Sequence, residues 1–220
     1  MAEEKKKKLP TLTTPKGVAK WITLNKPDTK FKKEGQYRVV LLLTPEEAKP
    51  LQEKIDAAIE EKKKIAKADP KNKGKKIKDA DLPYKQDLNK EGEETGLVSF
   101  NFTAKASGVR ENGETWTFRP AVLDTKGKPV KSALIYGGSI VRVAFKLSTW
   151  ATAIGVGASL KMEAVQVIEL KTMGERDMSS YGFQEEEGYE DGGDADTEVE
   201  AAGNGQVPAD TATEEDNQDF

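Results

Sequence analysis

The chain has 220 residues, with 35 Lys plus Arg against 38 Asp plus Glu, and it contains neither His nor Cys. The missing Cys excludes disulfides, thiolate nucleophiles and thiolate metal sites; the missing His excludes serine–histidine and cysteine–histidine catalysis and removes the commonest metal ligand. The net charge of −3 conceals a division, because residues 177–220 hold 15 acids and no base, leaving a tail of −15 on a body of +12. Met1–Lys8 is charged and Leu9–Thr14 is no apolar signal core. The longest aliphatic run, Val39–Leu43, is too short to span a membrane, so a soluble protein without membrane contact is expected.

Gly17–Leu24 reads as a strand, Asn25–Gly35 as a polar loop and Gln36–Leu43 as a second strand, rich in β-branched and apolar residues. Thr44, Pro45 and Glu47 form a helix start, with a cap, an N1 proline and a capping-box acid. Pro50 would remove an internal hydrogen bond, so a first turn followed by a main helix from Pro50 to about Ala68 is expected. Leu51, Ile55, Ala58, Ile59 and Ile65 lie close to one face of it. Lys62–Lys78 carries nine lysines and the single acid Asp69, and Asp69–Gly74 breaks the helix. Lys78–Gly96 reads as a long loop around Leu82-Pro83-Tyr84-Lys85.

Beyond Gly96 the chain turns to strands. In Leu97–Ala106, Val98, Phe100, Phe102, Ala104 and Ala106 alternate with polar residues, which sends the phenylalanines to the core and Lys105 outward. Glu111-Asn112-Gly113-Glu114 is a hairpin signal. Thr115–Asp124 follows as a strand, with a Pro120 that suggests an edge or bulge. Ser139–Leu147 alternates again, and Ala158–Leu170 supplies the last long strand. Five to seven predominantly antiparallel strands with one helical insertion suit a small Greek-key barrel. Past Met173 the composition is that of a disordered segment.

Catalytic signatures are weak. Gly155 and Gly157 form a GxG, but Leu160 stands where a dinucleotide fingerprint needs Gly, and Gly127-Lys128 lacks the upstream Gly of a P-loop. No catalytic residue, metal or cofactor is expected. The informative pattern is aromatic residues interleaved with bases: Lys20-Trp21, Phe31 beside Lys33, Tyr37-Arg38, Tyr84 before Lys85, and Trp150 ahead of the glycine bend. Stacking on exposed aromatics beside a cationic groove is the physics of single-strand binding. Trp21 and Tyr37 could equally be core, and Trp116 and Phe118, which share one strand face, are expected to be. Arg38, Lys105, Arg119, Arg142 and Lys146 fall on outward positions. Any one of them alone would be a solvated surface residue, and the set carries the reading.

In Val122-Leu123-Asp124-Thr125-Lys126-Gly127-Lys128, Ile135-Tyr136-Gly137-Gly138-Ser139, Gly157-Ala158-Ser159-Leu160-Lys161 and Val167-Ile168-Glu169-Leu170 the chain resembles the gene 2.5 protein family of short-tailed phages, which are single-stranded DNA-binding proteins. The Lys26-Pro27-Asp28 loop, the Tyr37-to-Pro45 strand end and the final Asp219-Phe220 add to the resemblance. It implies a mainly β protein, with residues 1–176 forming an OB-fold, a five-stranded Greek-key barrel, carrying a helical and Lys-rich insertion at about 45–96. Residues 177–220 would be a disordered acidic tail. The tail, with Asp216, Asp219 and Phe220, would compete with DNA and contact the phage DNA polymerase and helicase-primase in the host cytoplasm. A homodimer formed by tail exchange is compatible with it. An aromatic at Trp150 would stack on bases. The rival readings are an acidic-tailed protein-interaction module, a duplex-binding architectural protein using Lys62–Lys78, and a metal-dependent nuclease.

Overall fold

A computed structural model describes residues 9–30, 32–72, 77–131, 133–152 and 155–171. The expectations for Phe31 and for the tail, including Asp216, Asp219 and Phe220, fall outside the described residues.

The barrel strands are β2 (Gly17–Asp28), β3 (Gln36–Leu43), β5 (Glu94–Lys105), β9 (Ile140–Thr152) and β10 (Gly155–Glu169). Their order is β9-β2-β3-β5-β10, and β10 pairs back onto β9, which closes a five-stranded OB-fold barrel. Most pairs are antiparallel, but closure runs through a parallel step in which Leu160 faces Phe102 and Lys161 faces Thr103. Three short strands extend the sheet: β1 (Thr11–Thr13) on β9, β4 (Tyr84–Leu88) on β5 and β8 (Ala121–Leu123) on β10. A separate hairpin joins β6 (Ser107–Val109) to β7 (Thr115–Thr117) around Gly113, whose φ of 83° suits the predicted turn.

Alternation builds the core. Tyr37, Val39, Leu41 and Leu43 of β3 point inward with Val98, Phe100, Phe102 and Ala104 of β5 and Val141, Val143 and Phe145 of β9. Phe102 and Phe145 meet edge to face at 5.1 Å. The helix α1 (Pro45–Ala68) buries Ala48, Leu51, Ile55, Ile59 and Ala66 and lies against β9, β10, β5 and β3. Each fully buried isoleucine contributes about 1.5–3 kcal/mol.

Several expectations need correction. The helix is one element from Pro45, with its capping box formed and Pro50 inside it. Pro50 is exposed, and burial of Ala48 and Leu51 on either side of it outweighs one lost hydrogen bond. Ile65 is 57% exposed while Ala66 is buried. Seven residues after Ile59 return to the same face, whereas six fall a third of a turn away. The polar loop starts later than expected, because β2 runs on to Asp28. Asn25 exchanges two 3.2 Å hydrogen bonds with the Ile135 backbone, which holds that segment extended. The loop expected at Lys78–Gly96 contains β4, whose turn into β5 is closed by the Asn89 side chain accepting from the Glu93 amide at 2.8 Å. The strand expected at Thr115–Asp124 splits into β7 and β8 around buried Pro120. The last long strand, β10, starts at Gly155 and not at Ala158, so Gly155 and Gly157 both lie within it.

Candidate nucleic-acid interface

The strand register places side chains in rows across the outside of the barrel. Trp21 faces Val40, which faces Asn101; Thr23 faces Arg38, which faces Thr103. Thr103 continues to Lys161, Lys161 to Lys146 and Lys146 to Thr11. On β9 and β10, Trp150 pairs with Gly157 and Ser148 with Ser159. The outer face therefore carries indoles and cations in adjoining rows.

Two grooves flank this face. One, of about 460 Å³, lies between Gln36, Thr103, Ser159 and Lys161 on the barrel and Trp116 and Phe118 of the β6–β7 region, with Lys32 and Lys105 also on its wall. The other, of about 440 Å³, is lined by Arg38, Val40, Ser99, Asn101, Leu82 and Lys85 among others. They adjoin where Arg38 Nε donates to Asn101 Oδ1 at 2.9 Å, one row from Thr103. That bond uses one of the five guanidinium donors.

The residues expected to bind DNA separate into groups here. Arg38, Lys105 and Trp150 belong to the banded face. Trp21 is also on it, 65% exposed and not in the core. Trp150 is half-buried; its indole N–H donates to Ser159 Oγ at 3.0 Å, and the ring lies over Gly157, where a Cβ would stand 2.8 Å from it. The glycine bend thus seats an indole. Lys105 pairs with Glu34 at 3.1 Å, both more than half exposed, a contact worth about 0–1 kcal/mol. Lys33 is exposed in the turn before β3, and Arg119 is exposed between β7 and β8. Arg142 is exposed but faces Gln166, eight positions and roughly 26 Å along β9 from Trp150.

Four residues are already engaged within the fold. Tyr37 is 6% exposed, inward on β3 and part of the core, so its ring offers no face to a base. Alternation with Arg38 forces this, since only one of the two neighbours can face out. Lys20 Nζ donates to Asp87 Oδ1 and to the Leu88 carbonyl, each at 2.6 Å, which ties β2 to β4. Tyr84 is half-buried and in β4, not in a loop; it lines the second groove, with its ring 5.6 Å from Phe100 and its hydroxyl donating to Asp56 of α1 at 2.7 Å. Burial, and then the hydrogen bond and charge of Asp56, push the phenol up to about 12. Lys146 bonds Glu163, which also accepts from Thr11 Oγ1 at 3.0 Å. The Lys146 bond holds the Glu163 carboxyl below its ordinary value, with Thr11 assisting against desolvation.

Sequence reasoning placed Trp116 and Phe118 in the core, but Phe118 is 37% exposed and both line a groove. Lys161 and Thr103, which also line it, are not among the DNA contacts expected from the sequence. Counting back from a two-residue Asn112-Gly113 turn would set Val109 opposite Trp116; the loop is instead three residues, Glu111 to Gly113, closed between Arg110 and Glu114, and this sets Gly108 opposite the indole. Among the described residues, no three acidic side chains gather as a metal site, and no helix is long and apolar enough to cross a membrane.

A five-stranded barrel closed by β10 pairing back onto β9, with one helix packed against it, defines an OB-fold protein. The chain belongs to the family described as single-stranded DNA-binding protein, Bacteriophage T7, which matches residues 16–170. It is 32% identical over 117 residues to the single-stranded DNA-binding protein of Escherichia phage T7, covering 51% of this chain and 50% of that protein. It is 33% identical over 96 residues to the corresponding protein of Enterobacteria phage T3, covering 42% and 41%. The chain thus matches half or less of the length of these curated relatives. The crystal structure of gp2.5, a single-stranded DNA-binding protein encoded by bacteriophage T7, superimposes with a TM-score of 0.62 at 25% identity, over 83% of this chain and 98% of that one.

Proposed function

We propose that this chain binds single-stranded DNA without strong sequence preference and acts in phage DNA replication and recombination. The observation that carries the reading is the contiguous outer face on which Trp21 and Trp150 share adjoining rows with Arg38, Lys105 and Lys161. Bases stack on the indoles, which tolerate any sequence because every base has a π-face. Phosphates take the cations, with Lys33, Lys85 and Arg119 extending the path. Release of counterions supplies much of the affinity. Six phosphate contacts give a slope of roughly −4 in log K against log salt.

The −15 tail competes for the same face when DNA is absent. A coil of that length reaches roughly 35–40 Å, and tethering gives it an effective concentration on the order of mM. DNA displaces the tail, and the tail then recruits the replicative polymerase and helicase-primase. Exchange of tails between two chains is a route to a homodimer.

Fluorescence anisotropy of a labelled single strand, with the intact chain and with residues 177–220 removed, at two salt concentrations, tests this. Salt-sensitive binding that tightens on removal is expected. Equal affinity for duplex would favour an architectural role, and binding by neither form would discard the function.

A further inference from the structure

Building on the single-strand reading, we infer that the groove between the barrel face and the β6–β7 region is a slot for an unpaired base, and that it is where this protein distinguishes single strands from duplex. Trp116 and Phe118 form its outer wall. Gly108 lies directly across the hairpin from Trp116, and a Cβ there would stand 2.7 Å from the indole. The hairpin register therefore seats the ring on a bare stretch of backbone.

The floor is polar in a particular way. Gln36, Thr103 and Ser159 project into the groove, and each can both donate and accept a hydrogen bond. Such a floor satisfies the edge of any of the four bases without selecting one. Lys32, Lys105 and Lys161 stand on the rim, and the described residues lining the groove include no acid. Its volume of about 460 Å³ falls within the roughly 300–1,000 Å³ of small-ligand sites. Aromatic wall, ambivalent floor and cationic rim match a nucleotide: π-face, polar edge and phosphate.

A base within a duplex has both faces covered by its neighbours and its edge occupied by its partner. It enters such a slot only after leaving the stack, which costs a few kcal/mol in a duplex and less in a single strand. Trp150 bonds Ser159, a floor residue, so a strand stacked on Trp150 arrives at the slot.

The test compares Trp116→Ala/Phe118→Ala with the native chain on three ligands: a short oligodeoxythymidylate, a fully abasic strand of equal length, and a duplex. The double variant should bind oligodeoxythymidylate about 5- to 150-fold more weakly, the range for one lost stacking contact. Its affinities for the abasic strand and the duplex should be unchanged. Trp116→Phe should restore binding, and Phe118→Ala alone, at an exposed position, should show a smaller loss with an unchanged unfolding midpoint. Unchanged oligodeoxythymidylate binding, or equal weakening on all three ligands, would overturn the slot. If the native chain bound no strand at all, the proposed function would fail, and the slot with it.

Discussion

Replacing Lys20 with Met separates a structural cation from a DNA-binding one. Asp87 keeps only 7% of its side-chain exposure, and its Oδ1 takes the Lys20 ammonium at 2.6 Å. Among the described residues its Oδ2 takes only the Thr95 hydroxyl, at 3.0 Å. Methionine fills the space of the lysine stem but leaves the carboxylate buried against a single neutral donor. Breaking a buried pair costs about 3–5 kcal/mol. Lys20 itself retains 29% exposure, so water reaches the vacated side, and the low end, about 3 kcal/mol, is expected. For a domain of this size that is a fall in Tm of about 6–12 °C, or roughly 1–2 M in the urea midpoint. The double variant Lys20→Met/Asp87→Asn removes the stranded charge and should recover part of the loss. Calorimetry and urea titration give the stability, and anisotropy on single-stranded DNA gives the affinity, which should be unchanged below the new midpoint. A Lys20→Met chain with native stability and weakened DNA binding would refute the argument and return Lys20 to the interface.

Trp150→Ala should lose about 1–3 kcal/mol of single-strand binding with an unchanged salt slope, since no phosphate contact is removed. Gly157→Val should weaken binding in the same direction by lifting the indole that now lies where a Cβ would be; native affinity in both variants would assign Trp150 to packing. Absorbance titration should find one of the five tyrosines ionising near pH 12, and Tyr84→Phe should remove it. Because the folded value lies above the ordinary 10, the contribution of that phenol to stability is complete below pH 10 and is lost as pH rises toward about 12. Glu163→Gln should destabilise the chain at neutral pH through loss of the tie among β1, β9 and β10. Glu163 is depressed below 4.5, so the gap between variant and native chain should close as pH falls below that value; a pH-independent gap in urea midpoints would count against the ion pair.

Local rules read much of this fold directly. The bounds of β3, the Thr44–Glu47 capping box, the inward rows of β5 and β9 and the Asn112-Gly113 turn all follow from spacing and turn chemistry within a few residues of chain. So does the division of charge between body and tail, which is composition alone. The interface was only half legible. Alternation correctly put Arg38 and Lys105 outward, but it says which face a side chain takes and not what stands across from it. Lys20 meets Asp87 across 67 positions of sequence, Tyr84 meets Asp56 across 28, and Lys146 meets Glu163 across a bulge in β10. Those partners give three candidate DNA contacts a structural task as well, tying strand to strand or strand to helix. Closure of the barrel through the parallel step from Phe102 to Leu160 brings Thr103 beside Lys161 and makes the groove under Trp116. Period-two patterning is a property of one strand, whereas the supply of free cations and open rings depends on which strands become neighbours, and long-range pairing alone decides that.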